Sequence, residues 1–172
     1  MLFRSLSGGS YTAIAAGKGG SAGIGLLEVY ELDSSTPSQL AGVSTRARVQ
    51  TGADVLIGGL TVTAQNGSLP VLLRALGPSL AAFGIATPLS DPVLEIHNAF
   101  GTIISANDNW KLPQQGAIQA TGLAPPDDKD SAILMNLAPG MYTAVVRDAT
   151  GGSGIALFEA YNLRLPPPLA FR

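Results

Sequence analysis

The sequence contains no cysteine and a single histidine among its 172 residues. Without cysteine, the chain can have neither a thiol nucleophile nor a thiolate-bound metal ion. With one histidine and no thiolate, we expect no zinc site. The lack of disulfides leaves the compartment open, because a secreted chain of this length can fold without them.

Charged residues are also scarce, at 13% of the chain, and the ten Lys and Arg residues are scattered singly around a net charge of −2. No basic stripe is present to neutralise phosphates, so we expect no nucleic-acid partner. The uncharged stretch from Val55 to Leu73 is interrupted by Asn66-Gly67 and Pro70. Two strands joined by a turn explain it better than a membrane span.

Turn residues are abundant, with 21 glycines and 12 prolines. They separate about ten short runs rich in β-branched, aromatic or alternating residues, which is typical of strands. Asn66-Gly67 gives the strongest hairpin signal, and one helix is expected at Pro113 to Ala120. The pattern predicts an all-β chain, an antiparallel β-sandwich of the jelly-roll kind.

One stretch of the chain occurs twice. Residues 6–33 align without a gap with residues 137–164, at a constant offset of 131 residues, and twelve of the 28 pairs are identical. Internal repeats of this kind define the organisation of a chain. Glu28 and Tyr30 recur as Glu159 and Tyr161, which indicates a shared structural role rather than a catalytic one.

The repeat predicts four parts. These are a partial repeat of three strands that duplicates the C-terminal strands (1–33), a linker (34–39), a β-sandwich repeat (40–164) and a proline-rich tail (165–172). Either residues 1–131 or residues 34–164 can close a sandwich, and three strands are then left over. Because leftover strands with an apolar face aggregate easily, we expect them either to fill the vacancy in a neighbouring molecule or to join one enlarged, monomeric sandwich that takes up both copies.

The segment from Asp91 to Leu163 resembles the bacterial pre-peptidase C-terminal domain, a secreted jelly-roll module. The resemblance depends on DPVLEIHNAFGTIISANDNW, SAILMNLAPGMYTAVV and GSGIALFEAY. Upstream, RVQTGADVLIGGLTV and LPVLLRALGPSLAAFG look like repeats of large bacterial surface and secreted proteins. The resemblance implies an extracellular accessory or structural module and not a catalytic domain.

Two polar loops are candidates for a metal site. If they converge, their oxygen atoms match the hard ligands that Ca²⁺ prefers, and the modules that the chain resembles use similar loops for calcium. The competing interpretation is that these residues form turns through bonds to their own backbone. Calcium is the only cofactor that we consider. The candidate ligands are Asn107, Asp108, Asn109, Asp127, Asp128 and Asp130.

No set of acid, base and nucleophile is visible, so we expect neither an enzyme nor a small-molecule substrate. His97 is interpreted as a surface imidazole, and Ser79 lacks the surroundings of a nucleophile elbow. Gly17-Lys18-Gly19-Gly20 lacks the spacing of a phosphate-binding loop and is expected to be a turn. Trp110 is expected to pack in the core.

The out-of-phase repeat leads to two hypotheses. The first is a noncatalytic subunit of an extracellular filament or surface assembly, polymerising head to tail by strand complementation between residues 1–33 and 132–164. The alternative is a calcium-stabilised accessory or binding module of a larger secreted hydrolase or adhesin. The first predicts contacts between copies through Tyr11, Ile14, Leu26, Tyr30, Tyr142, Val145, Leu157 and Tyr161.

Overall fold

The computed structural model describes residues 6–30, 41–63 and 67–165. The chain divides into two compact units, Met1–Leu40 and Ala41–Arg172. The predicted linker 34–39 lies outside the described residues, as do the two ends of the partial repeat (1–5 and 31–33) and the predicted tail beyond residue 165.

The described residues of the second unit form eight strands and one short α-helix, and a 3₁₀ segment, Pro78–Phe83, follows β3. The helix α1 spans Gln115–Ala120, within the predicted range. The strands are β1 (Gly42–Val49), β2 (Leu56–Val62), β3 (Leu69–Leu76), β4 (Pro92–Asn98), β5 (Ile103–Asn107), β6 (Ser131–Leu137), β7 (Gly140–Asp148) and β8 (Gly154–Asn162).

The strands pair in a nested order. The first pairs with the last (β1 with β8), then β2 with β7, β3 with β6 and β4 with β5, all antiparallel. Two four-stranded sheets result: sheet A in the order β1-β8-β3-β6 and sheet B in the order β2-β7-β4-β5. This arrangement is a jelly roll, so the predicted fold class is confirmed.

Sheet A is covered on both faces. Its inner face packs against sheet B around buried residues such as Leu73, Phe158 and Ile96. Its outer face carries a second apolar cluster, in which Leu72 and Tyr161 contact Trp110 and neighbouring residues of the connection between β5 and β6. We call that connection, residues 108–130, the cap. The buried position of Trp110 agrees with the sequence expectation.

The predicted hairpin at Asn66-Gly67 is wrong. β2 pairs with β7 in sheet B, whereas β3 pairs with β6 and β8 in sheet A. The connection between them therefore crosses from one sheet to the other, and Asn66 lies outside the described residues. The dipeptide favours a tight turn, but long-range pairing decides which strands are neighbours.

The first unit contains no strand between residues 6 and 30, and every residue in that range is exposed. The strands predicted within it are therefore not formed there. The physical reason lies in their counterparts, β7 and β8, which belong to opposite sheets and do not pair with each other. A strand needs a partner to complete its backbone hydrogen bonds, and the first copy contains none of the strands that β7 and β8 pair with.

Candidate functional site

A buried ionic network joins β3, β8 and the cap. Arg74 Nε donates to Glu159 Oε2 at 2.8 Å, and its Nη2 also contacts that oxygen. The Nη1 atom donates to the Leu123 carbonyl at 2.6 Å, and Nη2 donates to Tyr161 Oη at 3.0 Å. Arg74, Glu159 and Tyr161 are each less than one-tenth exposed. The guanidinium group therefore has polar partners for each of its nitrogen atoms in a dry environment.

Glu159 and Tyr161 also bond to each other. The Tyr161 hydroxyl donates to Glu159 Oε1 at 2.7 Å, and its ring lies 5.0 Å from the Arg74 guanidinium carbon. Burial and the Glu159 carboxylate raise the pKa of Tyr161, so the phenol keeps the proton that it donates. The triad is satisfied internally, which fits the structural role expected from the recurrence.

The same contact exists in the first copy. Tyr30 Oη donates to Glu28 Oε1 at 2.8 Å, the counterpart of the bond between Tyr161 and Glu159. The hydrogen bond to Glu28 raises the pKa of Tyr30. Here both side chains are exposed, and no arginine completes the triad among the described residues of the first unit.

Two further hydrogen bonds recur at the same offset. Tyr11 Oη donates to the Ser7 carbonyl at 2.7 Å, and Tyr142 Oη donates to the Ala138 carbonyl at 2.9 Å. Each copy also contains a turn, which in the second copy joins β7 to β8. In the first copy, the Gly20 amide of this turn donates to the Gly17 carbonyl at 3.2 Å. The corresponding bond, from Gly151 to Asp148, measures 3.3 Å. The first copy thus reproduces three hydrogen bonds of the second copy without forming its strands.

The burial of the two copies is opposite. Tyr30 is 66% exposed and Tyr161 only 1%, and the same contrast holds for Leu27 (55%) and Phe158 (2%). Leu6 follows the same rule, because its counterpart Leu137 lies in the core. Residues 6–30 therefore carry side chains suited to a core that residues 6–30 do not themselves form.

The residues predicted to contact a second molecule fall into two groups. Those of the first copy are exposed, as the hypothesis requires, but Tyr161 is buried beneath the cap of its own unit. The other three are half-buried on interior strands. Their role between copies stays a prediction. The exposed group is Tyr11, Ile14, Leu26 and Tyr30, and the half-buried group is Tyr142, Val145 and Leu157.

The first of the two polar loops is occupied by its own hydrogen bonds. Asn107 Oδ1 accepts from the Ala132 amide at 3.0 Å, and Asn107 Nδ2 donates to the carbonyls of Asn109 and Leu112. Asn109 Nδ2 donates to Asp108 Oδ1 at 2.5 Å. The amide side chains thus organise the strand end and the turn that follows it.

The second loop is engaged in a similar way. Asp130 Oδ1 accepts from the Gly77 amide at 2.8 Å, and Asp127 Oδ1 accepts from the Lys129 amide at 2.9 Å. Asp128 pairs with Lys111 at 2.5 Å. Burial raises the pKa of Asp130, against the hydrogen bonds that lower it.

The two loops meet through Trp110. Its amide donates to the Asp130 carbonyl, and its Nε1 donates to the Asp127 carbonyl at 2.9 Å. Convergence is thus achieved by backbone and indole contacts. Across the described residues, no three acidic or histidine side chains lie close enough to hold a metal ion. Calcium binding by these loops stays a prediction, and the contacts of Asn107 and Asp130 favour the competing interpretation that these residues form turns.

His97 lies on the outer face of sheet B in a polar cluster. Its Nε2 is 3.3 Å from Glu95 Oε2, and Arg147 Nη2 donates to Glu95 Oε1 at 2.6 Å. The Arg147 hydrogen bond holds the pKa of Glu95 below its usual value, against partial burial. A groove of about 430 Å³ beside His97 is lined in part by Met141 and Val145. Ser79, on a different part of the fold, is buried in the 3₁₀ segment after β3.

Two residues on which the fold depends were not predicted from the sequence. Arg74 is the only charge in the apolar run LPVLLRAL, and that isolation is a signal for a buried pair. Asp148 anchors the turn after β7: its carboxylate accepts hydrogen bonds from Ser90, from the Asp91 amide, and from Thr150 and Gly152. Burial opposes ionisation, but these bonds outweigh it and lower the pKa of Asp148 to about 2.

Comparison with solved structures returns the pre-peptidase C-terminal domain of a collagenase from Bacillus anthracis. The match covers 70% of this chain and 89% of that domain, with 11% sequence identity and a TM-score of 0.44. The returned domain is of the kind that the sequence motifs resemble. Because identity and score are low, nothing about the collagenase carries over to the function of this chain. Neither a protein-family model nor a curated protein matches the chain.

Among the residues that the structure describes, no helix is long and apolar enough to cross a membrane.

Proposed function

We propose that this chain is a noncatalytic structural module of an extracellular or cell-surface protein built from like units. In this proposal it carries one complete sandwich within residues 41–165 and, at residues 6–30, the closing strands of another unit. The observation that supports it most directly is the recurrence of three hydrogen bonds at an offset of 131 residues. The extracellular location is proposed from the sequence resemblance alone.

The nested topology explains why the first copy is surplus to this sandwich. β7 lies between β2 and β4, and β8 lies between β1 and β3. Both positions are interior, so the sandwich of residues 41–165 offers no vacancy for a second pair of such strands. A like unit that ends after its sixth strand would offer the two vacancies that residues 6–30 fit.

The proposal can be tested by lengthening the chain with a copy of its own residues. Placing a copy of residues 34–131 in front of Met1 restores one full period ahead of the existing sandwich. We expect two folded sandwiches in that longer chain, with Tyr30 and Leu27 protected from solvent. Thermal unfolding should then absorb about twice the heat, because calorimetric enthalpy scales with the number of folded residues. An added segment that stays unfolded, leaving Tyr30 exposed, would overturn the proposal.

A filament formed by complementation between copies is the second candidate. It is favoured by the exposed apolar side chains of the first copy, Ile24 (100% exposed) and Ile14 (88%) among them. It requires β7 and β8 of the receiving copy to leave their places, so it has to overcome an intramolecular competitor. Negative-stain microscopy of the purified chain tests it: uniform fibres that vanish on deletion of residues 1–33 would establish it, and discrete particles of monomer size would exclude it.

The calcium-stabilised accessory module predicted as the alternative depends on the two polar loops. Its support is their convergence around Trp110 and the exposed carboxylate of Asp128. Calcium titration followed by thermal unfolding separates this alternative from a module that binds no metal.

A further inference from the structure

β7 and β8 fill two interior positions of the sandwich, and residues 6–30 contain the sequence counterparts of both strands. We infer that one frame of six strands, β1 to β6, can be closed by either copy. The inference depends on the equivalence of the copies, on which the proposed function also depends, but it adds a new partner for the first copy. That partner is the frame formed by residues 41–137.

The reach of the chain permits this closure. Tyr161 on β8 stands opposite Gly42 on β1, so the end of β8 lies beside the start of β1. Tyr30 is the counterpart of Tyr161 and precedes Gly42 by only twelve residues. An antiparallel pair needs its ends about 5 Å apart, and eleven connecting residues can span roughly 35 Å. The first copy can therefore enter the β8 position as one arm of a hairpin with β1.

The chemistry of the frame suits the first copy. Arg74 lies on β3 and pairs with Glu159 and Tyr161 on β8. The first copy offers Glu28 and Tyr30 at those positions, already joined by a hydrogen bond. On the core side of β8, Leu27 would replace the larger Phe158, and Val29 would replace the smaller Ala160. The changes in volume have opposite signs, and volume-conserving sets of this kind are tolerated in cores.

One position favours the second copy. Asp148 accepts hydrogen bonds from Ser90 and Asp91, which fastens the turn after β7 to the segment that leads into β4. Its counterpart is Gly17, which has no side chain to make them. Closure by residues 6–30 loses this anchor, so we expect the structure described above to be the major form. The exchanged form is the one that appears when the second copy is weakened.

A proline substitution weakens either copy selectively. Ala160 is buried on β8 between Val43 on β1 and Leu73 on β3. Proline there removes a backbone donor from an interior strand, which sheets do not tolerate. Val29 is the counterpart of Ala160, so Val29→Pro is the matched change in the first copy. The variants are Ala160→Pro, Val29→Pro and the double substitution, each in the full chain.

We expect Val29→Pro to match the parent chain and Ala160→Pro to give a folded monomer of lower stability. The double variant should be unfolded in near-ultraviolet circular dichroism and in the emission of Trp110. If Ala160→Pro is as unfolded as the double variant, the inference is overturned. If Ala160→Pro folds only as dimers or larger species, the first copy closes a second molecule and the in-chain inference is overturned as well.

Disulfide trapping gives an independent readout in a chain that keeps both copies intact. Arg46 on β1 stands opposite Leu157, whose counterpart is Leu26. In a chain without native cysteine, Leu26→Cys with Arg46→Cys should oxidise to an internal disulfide after refolding, at least tenfold more than Leu26→Cys with Ile57→Cys on sheet B. Arg46→Cys with Leu157→Cys is the positive control. Equal yields from the test pair and the Ile57 pair would overturn the inference.

The two tests fail separately. Folding of both sandwiches in the longer chain with residues 34–131 duplicated would show that the copies are equivalent. If both sandwiches fold in that chain but proline rescue and disulfide trapping fail, the exchange is excluded and the proposed module is still supported. If the longer chain also fails to fold its first sandwich, the proposed function falls with it.

Discussion

Arg74 on β3 and Glu159 on β8 form an ion pair on the outer face of sheet A, beneath the cap, with 9% and 2% of their side chains exposed. Such a pair adds little net stability over a well-packed apolar pair, but loss of one partner leaves a charge unpaired in a dry environment. The network therefore makes the choice of the strand beside β3 specific, because that strand must bring a carboxylate and a phenol to the same place.

The first prediction concerns this pair. Glu159→Ala should lower the free energy of unfolding by about 3–5 kcal/mol, because Arg74 is left buried and unpaired. Glu28→Ala, the matched change in the first copy, should leave the urea midpoint unchanged, because Glu28 is exposed. Arg147→Ala, which breaks the more exposed pair with Glu95, should cost less than about 1 kcal/mol. Equal losses for Glu159→Ala and Glu28→Ala would contradict the assignment of β8.

The second prediction uses a close backbone approach. A Cβ on Gly154 would lie 2.6 Å from the Leu89 backbone, whereas its counterpart Gly23 has open space around it. Gly154→Ala should therefore destabilise the sandwich by about 1–3 kcal/mol, and Gly23→Ala should change nothing measurable. Thermal unfolding followed through Trp110 measures both. A strong effect of Gly23→Ala would show that the first copy is packed in the major form.

The third prediction concerns pH. Hydrogen bonds lower the pKa of Asp148 from 3.8 to about 2, so the ionised group stabilises the fold above pH 3.8. That stability should be lost as the pH falls from about 4 to 2. Asp130, whose pKa is raised by burial, acts with the opposite sign. Urea unfolding of the parent chain and of Asp148→Asn isolates the first effect: the Asn variant should be less stable at pH 6, and the difference should shrink by pH 2. A difference that is constant with pH would contradict it.

The fourth prediction concerns calcium. Side-chain oxygen atoms of Asn107 and Asp130 already accept hydrogen bonds from backbone amides. We therefore expect the melting temperature in millimolar Ca²⁺ to equal that in the presence of a chelator. A ligand that binds only the folded state at a hundred times its Kd stabilises by about 2.7 kcal/mol, which a melting curve detects easily. A calcium-dependent rise that Asp128→Ala abolishes would establish a metal site in these loops.

The fold class could be predicted from the sequence because its signals are local. Alternation and turn residues predicted a chain of short strands and one helix at Pro113 to Ala120, where α1 lies. The neighbours of each strand could not be predicted, as Asn66-Gly67 shows. A tight-turn dipeptide there connects β2 and β3, which lie in different sheets. Pairing is decided by burial across the whole sandwich, and no local pattern carries that information.

The repeat was visible in the sequence, but its structural meaning was only partly so. The recurrence of Glu28 and Tyr30 predicted a structural role for Glu159 and Tyr161, and their buried contacts with Arg74 fit that role. Their buried partner Arg74 comes from a strand 85 residues away from Glu159, and proximity over that distance follows only from the nested topology. The same topology places β7 and β8 in different sheets, which explains why their counterparts within residues 6–30 do not pair with each other.

The pairing of Gly42 with Tyr161 has a mechanical consequence. The polypeptide enters and leaves the sandwich at one edge, so tension applied through its two ends acts on the β1–β8 ladder from that edge. Antiparallel hydrogen bonds loaded in this way open one after another, like a zipper, instead of resisting together in shear. Such a unit unfolds and extends at low force. Several units in series would behave as an extensible tether rather than a rigid rod.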